Sequence, residues 1–348
     1  MTRRKASLTQ GFPREPMGVQ ARLAKRIHKN LYRWGIMNRL LTGVSLVSLS
    51  LAVNAQEDCA YQAVRLVEGA MDAVNHVIVR SGGGELEIEG ESGRRSVLAT
   101  GIACAPRERQ LEQLQVRISR EGDSLVVATE IPEGFNPLNW FRSDGWIHLT
   151  VKVPAGVSID IEDSSGSATI SKVGSARITD SSGDLHIENI KGSVTIGDGA
   201  GQITVRDIQG PLRLADGSGD VSITEIMGDI IIANDGSGEI KIADVQGSVT
   251  IGDDGAGDIT VERVSGSVKI EEDAAGDIFV SSINNDVSIL RDSSGEIEVA
   301  AVDGDFTVED PGSGGVRHQG VGGNIRLAGE PESNPEINSE THPETHPD

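Results

Sequence analysis

In residues 193–210, which read SVTIGDGAGQITVRDIQG, Val194 and Ile196 point one way, and after a polar interval Ile203 and Val205 do the same. Alternation of β-branched with polar residues marks a strand with one buried face, and the i, i+3, i+4 spacing of a helix does not accompany it. Ile208 adds a fifth apolar residue at the end of the unit. From residue 156 the unit recurs nine times, for example as Val249, Ile251, Ile259, Val261, Val264 and as Val287, Ile289, Ile297, Val299, Val302. Each copy predicts two short strands.

Glycine punctuates the copies at Gly156, Gly174, Gly192, Gly210, Gly228, Gly247, Gly266, Gly304 and Gly323, with spacings of 18 and later 19 residues. Asn285 fills the one gap. Because Asn follows Gly in tolerating a left-handed backbone, these positions read as left-handed corners. Between the two strands of a copy stands Asp-x-x-Gly. Its aspartates are Asp163, Asp180, Asp198, Asp216, Asp235, Asp254, Asp273 and Asp292, and its glycines run from Gly166 to Gly295. Asp first and Gly fourth is the preference of a type I turn, whose N–H groups the carboxylate can cap. A ninth copy, Asp310-Pro311-Gly312-Ser313-Gly314, carries one extra residue.

One unit cannot bury its own apolar face, but a stack seals every one of them. The expected fold is all-β: a single-stranded β-helix, or solenoid, with 18–19 residues and two short strands per coil over residues 156–328. Coils about 4.8 Å apart would build a rod on the order of 40 Å long. Aromatics make up only 3% of the chain while glycine supplies 43 residues, which suits a narrow interior filled by Val and Ile. A left-handed hexapeptide helix would need an aliphatic at every sixth position. Here the spacing runs 2, 7, 2, 3.

Val151-Lys152-Val153-Pro154-Ala155-Gly156, then Asp-Ser-Ser-Gly, then reiterated Gly-Asp-Ile-x-Val and Gly-Ser-Val-x-Ile, resembles the bacterial putative-adhesin family over about residues 76–328. It is also similar to the adhesin-head GIN-type domains, which form β-helices. The resemblance implies an envelope location and an adhesive or scaffolding role, with no catalytic residues to carry over.

Upstream, residues 1–36 form a basic leader, and Met37 could be the true start of a signal peptide over residues 37–55. Its apolar run, residues 40–53, is too short to span a membrane and ends at Val53-Asn54-Ala55, a small-residue cleavage site. The chain is therefore expected to be exported, to the periplasm or the cell surface, with no transmembrane segment in its mature part. Removing ten basic residues and one acid with the leader leaves 21 bases against 52 acids in residues 56–348, a net charge of −31. Such a surface repels phosphate backbones, so nucleic acid is excluded as a partner. Export makes Cys59 and Cys104 read as one disulfide.

Residues 56–155 lack the repeat and read as an irregular β region that caps the first coil, with strands at 77–79, 86–88, 116–118, 125–128 and 147–153. The stretch 59–71 can be read as a helix. Four of the seven aromatics after residue 55, Phe135, Trp140, Phe141 and Trp146, cluster in one loop; such a cluster is more often packing over the rod's flank, and is otherwise a candidate contact patch for a protein or glycan of the envelope. Residues 329–348 are acidic and Pro-rich and read as a disordered tail.

Catalytic constellations are missing from the sequence: there is no nucleophile elbow, zinc helix, phosphate loop or Cys/His ligand spacing. Neighbouring acids such as Asp253-Asp254 and Glu271-Glu272 obey the repeat instead of breaking it. The reading is a non-catalytic adhesin-like or scaffold module without a cofactor. Two alternatives stand beside it. One is a calcium-binding module using the stacked Asp198, Asp216, Asp235, Asp254, Asp273 and Asp292, with a second acidic row at Asp184, Asp220, Glu239, Asp258, Asp277 and Glu296. The other is a polysaccharide-cleaving β-helix.

Overall fold

The computed structural model of the chain describes residues 59–72, 74–131 and 145–328. The leader, the signal segment and the tail lie outside these residues, as do Phe135, Trp140 and Phe141.

Within them the alternation becomes strand after strand. The nine coils begin with β8 (Ser158–Asp163) and β9 (Ala168–Ser171) and end with β25 (Val316–Val321), followed by β26 (Ile325–Leu327). Even-numbered strands from β8 to β26 lie side by side in one sheet, and odd-numbered strands from β9 to β25 in a second. Each sheet has 13 strands. Pairing along the rod is parallel and in step: Val194 stands between Ala176 and Leu212, and Ile203 between Leu185 and Val221. Val194, Ile196, Ile203, Val205 and Ile208 are all buried, in one continuous interior that runs from Val74 to Val308. Each such side chain contributes about 1.5–3 kcal/mol on burial, against the chain entropy of ordering its coil. The fold is a β-solenoid.

The change from 18 to 19 residues per coil has a location. β14 (Leu212–Ala215) pairs with β16 (Ile230–Asp235) with a shift after Leu214, so that Ala215 faces Asn234 and Ala233 is the added residue. A bulge there leaves Ile230 and Ile232 pointing inward and still returns Asp235 to the interior.

The expected left-handed corners are corrected by the structure. Gly156 has φ +83°, but Gly174, Gly192, Gly210 and the later members of that row do not adopt a left-handed backbone, nor does Asn285. Glycine stands there because the coils touch: a Cβ on Gly210 would lie 2.6 Å from the carbonyl carbon of Gly192. The left-handed positions of the coils are instead the non-glycine residues Lys172, Asn189, Asp207, Glu225, Asp244, Arg263, Ser282 and Ala301, with φ between 53° and 60°, and Gly320 with φ 66°. Each immediately precedes the corner aliphatic. That single turned residue is what brings Val205 and Ile208, three apart, to the same inner face.

The solenoid also starts one coil before its sequence pattern does. β2 (His76–Arg80) lies beside β8 with Val77 opposite Ile159, and β3 (Leu86–Glu91) lies beside β9 with Ile88 opposite Ile170. Residues 92–157 then interrupt the winding with β4 (Ser96–Ala105), one helical turn α1 (Glu108–Leu111), β5 (Gln115–Glu121), β6 (Ser124–Glu130) and β7 (Trp146–Pro154). β7 and β6 extend the two sheets in parallel, whereas β4 and β5 pair antiparallel and close that end. The outermost strand of the second sheet, the one that holds β9 to β25, is β1 (Tyr61–Ala70), antiparallel to β4 over all ten residues. A helix over 59–71 is therefore wrong. Ala63, Arg65, Val67 and Gly69 alternate, half-buried, with exposed Gln62, Val64, Leu66 and Glu68, and ten cross-strand partners outweigh local helix propensity.

At the other end, His318 occupies the inward position held by Val299 one coil earlier and is exposed there. A polar residue at an inward site blunts an open sheet edge.

Candidate interaction face and buried carboxyl column

Five large apolar side chains are exposed among the described residues: Tyr61, Val64, Leu66, Ile102 and Met227. Four of them belong to β1 and β4. Val64 and Leu66 are each 66% exposed, and Val64 sits directly across from Ile102, which in turn sits across from His148 on β7. Adjacent to this row run Gln62, Cys104 and Trp146, partnered in the same way. Apolar residues fall on both faces of β1, although the core uses only one.

Trp146 is the one member of the predicted aromatic cluster among the described residues. It is half-buried, and its indole lies 3.9 Å from the His148 ring between centroids, tilted by 48°. His148 Nδ1 accepts the Glu85 N–H at 2.8 Å. His148, Glu85, Glu87, Thr150, Ser167 and Thr169 line an open groove of 340 Å³ beside the apolar strip. Cys59 and Cys104 are joined as a disulfide, which ties the start of β1 to the end of β4 at the margin of this face. Val64, Leu66 and Ile102 were not singled out from the sequence. The signal for them is the run Val64-Arg65-Leu66-Val67, which places apolar side chains on both sides of a single strand.

The turn aspartates form the second arrangement. Asp163 pairs in register with Asp180, Asp235 with Asp254, Asp254 with Asp273, and Asp273 with Asp292, one above the other in successive coils. Apart from the half-buried Asp198, each of the eight is at most 4% exposed. The expected capping of the turn is present: Asp163 accepts the Ser164 N–H at 3.0 Å, Asp198 the Gly199 N–H at 2.7 Å and Asp273 the Ala275 N–H at 3.1 Å. At least one carboxyl oxygen of every member, however, has no hydrogen-bond partner. Burial first, and neighbouring carboxyls second, push Asp163, Asp235 and Asp273 up to about 7. Burial likewise raises Asp198 and Asp254 to about 6. Ser81, buried like the aspartates, takes the equivalent place in the upstream coil and heads the column, its hydroxyl holding Asp163 down slightly against the effect of burial. The extra residue of the ninth copy sets Asp310 opposite Arg291, outside it.

The second acidic row has its own use. Asp184 accepts the N–H of Gln202, Asp220 that of Glu239, Asp258 that of Asp277 and Asp277 that of Glu296, at 2.8–3.1 Å. Each carboxylate therefore caps the amide at the same position one coil on. The acid pairs named from the sequence do not converge. Asp254 points inward and Asp253 outward, while Glu271 meets Lys269 and Glu272 meets Arg291. Among the described residues no group of three or more His, Cys, Asp or Glu is placed to hold a metal, and no helix is long and apolar enough to cross a membrane.

No family model matches the chain, and no curated protein matches it. Among solved structures it is similar to a putative cell adhesion protein from Clostridium sporogenes, at 11% identity and a TM-score of 0.27, covering 77% of this chain and 100% of that one. It is also similar to a putative lipid binding protein from Parabacteroides distasonis, at 15% identity and a TM-score of 0.32, covering 77% and 97%. A putative adhesin from the same species gives 10% identity and a TM-score of 0.26, covering 76% and 97%.

Proposed function

We propose that this chain is a non-catalytic, exported interaction module that holds a protein or glycan of the cell envelope through the outer face of β1, β4 and β7. The observation that carries the reading is the gathering of Val64, Leu66 and Ile102 on one outer face of an otherwise polar rod. Exposed apolar groups gathered in one place, rimmed by polar residues such as Gln62, Glu68 and Thr100, are what a contact surface requires. A rigid solenoid suits the role, because the face sits on strands that neighbouring coils hold in place. The apolar run of residues 40–53 after a basic leader supports export, and the disulfide fits an oxidising compartment.

The test is sedimentation of the purified mature chain with isolated envelope fragments, with Leu66→Asp and Val64→Asp compared against the distant, exposed Met227→Asp. Loss of binding by the first two and retention by the third is expected. Equal binding by all three contradicts the assignment of the face. Binding that vanishes only when calcium is chelated would favour the calcium alternative.

A further inference from the structure

We propose that the aspartate column is a proton store: neighbouring carboxyls share hydrogens along the rod, so that mild acid tightens the fold and mild alkali loosens it. The geometry carries this. Each coil delivers one carboxyl, the pairs Asp235–Asp254, Asp254–Asp273 and Asp273–Asp292 stand in register, and the solenoid's own backbone walls them from water. With coils about 4.8 Å apart, consecutive carboxyls in register are separated by about one coil spacing. Two ionised carboxylates at that separation repel, and their orphan oxygens have nothing to accept from. A proton on one of the two turns the pair into a donor and an acceptor, removing the repulsion and satisfying both oxygens.

Among the described residues the surroundings offer no other neutraliser. The groups acting on Asp273 are Asp254, Asp292, Asp258 and the Ala275 amide, and those acting on Asp292 are the Ser294 amide, Asp277 and Asp310. Asp163 meets Asp180, the Ser164 amide and the Ser81 hydroxyl, and Asp198 meets Asp180, Asp216 and its turn amides. Every charge among them is another carboxyl. A metal would need ligands converging on one point, whereas these are strung out one per coil.

The direction of the pH effect follows from linkage. An unfolded Asp titrates near 3.9, and the column members that reach about 6 or about 7 titrate well above it. The folded chain therefore binds more protons, and this contribution is whole below about pH 4 and is lost as pH rises through about 6 to 7. Glu89, Glu91, Asp244 and Asp305 act oppositely. Lys172, Lys152, Arg263 and the Asn324 amide respectively hold them low, so what they contribute disappears only at more acid pH.

Thermal unfolding of the full mature chain between pH 4.5 and 8, in chelator, tests the idea. Wild type should lose about 5 °C or more in Tm across that range. A variant with Asp235→Asn, Asp254→Asn and Asp273→Asn, which keeps an acceptor for the turn amides and gains a permanent donor, should show a much flatter profile. If the triple variant does not fold, side-chain carboxyl NMR of wild type decides, with a midpoint near 6 to 7 expected for Asp273. A Tm that is flat or rises with pH, a triple variant as steep as wild type, or an Asp273 midpoint near 4 would overturn the proposal. So would recovery of the acid Tm at pH 8 on adding calcium, because the column would then take cations in place of protons.

Discussion

Asp254 lies directly beside Asp273 on neighbouring parallel strands, both carboxyls enclosed by the solenoid. The same side chain does two jobs with opposite demands. It caps a turn, which any acceptor can do, and it brings a potential charge into an interior that resists it. Replacing Asp273 separates the two. Asp273→Ala removes the acceptor for the Ala275 N–H and should cost about 1–3 kcal/mol. Asp273→Asn keeps that acceptor and should be at least about 1 kcal/mol more stable than the alanine variant at pH 7.5. Urea unfolding of the two proteins would show it, and equal stabilities would mean that the cap contributes nothing.

The close stacking of coils makes some glycines irreplaceable. Gly276 has φ +148°, and a Cβ there would run into the carbonyl oxygen of Gly257 in the preceding coil. Gly276→Ala should destabilise by more than about 3 kcal/mol or prevent folding. Gly197 has open space around its Cβ position and ordinary φ, so Gly197→Ala should be near neutral. Denaturant midpoints of the two variants provide the comparison.

Ala301 is strained in the opposite sense, holding φ 54° without a side-chain reason to be there. Ala301→Gly should raise stability by about 0.5–1 kcal/mol, since glycine adopts that backbone freely and the strain relieved exceeds the entropy added to the unfolded chain. Unchanged or lowered stability would mean that the left-handed residue is not a source of strain.

The disulfide between Cys59 and Cys104, 45 residues apart in sequence, anchors the edge strand that carries the proposed contact face. Cys59→Ser with Cys104→Ser should cost about 2–4 kcal/mol, concentrated at that end. Amide hydrogen exchange is expected to quicken along β1 while Ile240–Val245, deep in the rod, stays protected. Uniform loss of protection throughout would show instead that cap and rod unfold as one unit.

Much of this architecture was legible because the repeat writes the same physics nine times. Val194, Ile196, Ile203 and Val205 announce two strands and their inner face, and the Asp-x-x-Gly columns announce the turn between them. Other features left weaker traces. The left-handed positions hold Lys, Asn, Asp, Glu, Arg, Ser, Ala and Gly, so residue type carries no signal, and only the three-residue step from Val205 to Ile208 betrays them. Glycine at the corners suggested φ when its cause was the neighbouring coil, a contact that no local pattern encodes. The upstream coil was hidden because Ser81 replaces the aspartate and residues 92–157 separate it from its stacking partner. β1 was misread because its apolar residues serve two faces, and that same ambiguity concealed the exposed strip of Val64 and Leu66. Burial of the turn aspartates was also beyond the pattern, since a capping carboxylate can face either water or the core.

The stack on which both the contact face and the carboxyl column depend can be measured as a length. Thr204, Ser222, Lys241, Thr260, Phe279 and Glu298 follow one another in register, one per coil. Spin labels at Thr204 and Glu298 should lie about 24 Å apart at the backbone, five steps of about 4.8 Å, and moving the second label to Phe279 should shorten the distance by one step. A separation that does not grow with the number of intervening coils would contradict the solenoid and everything built on it.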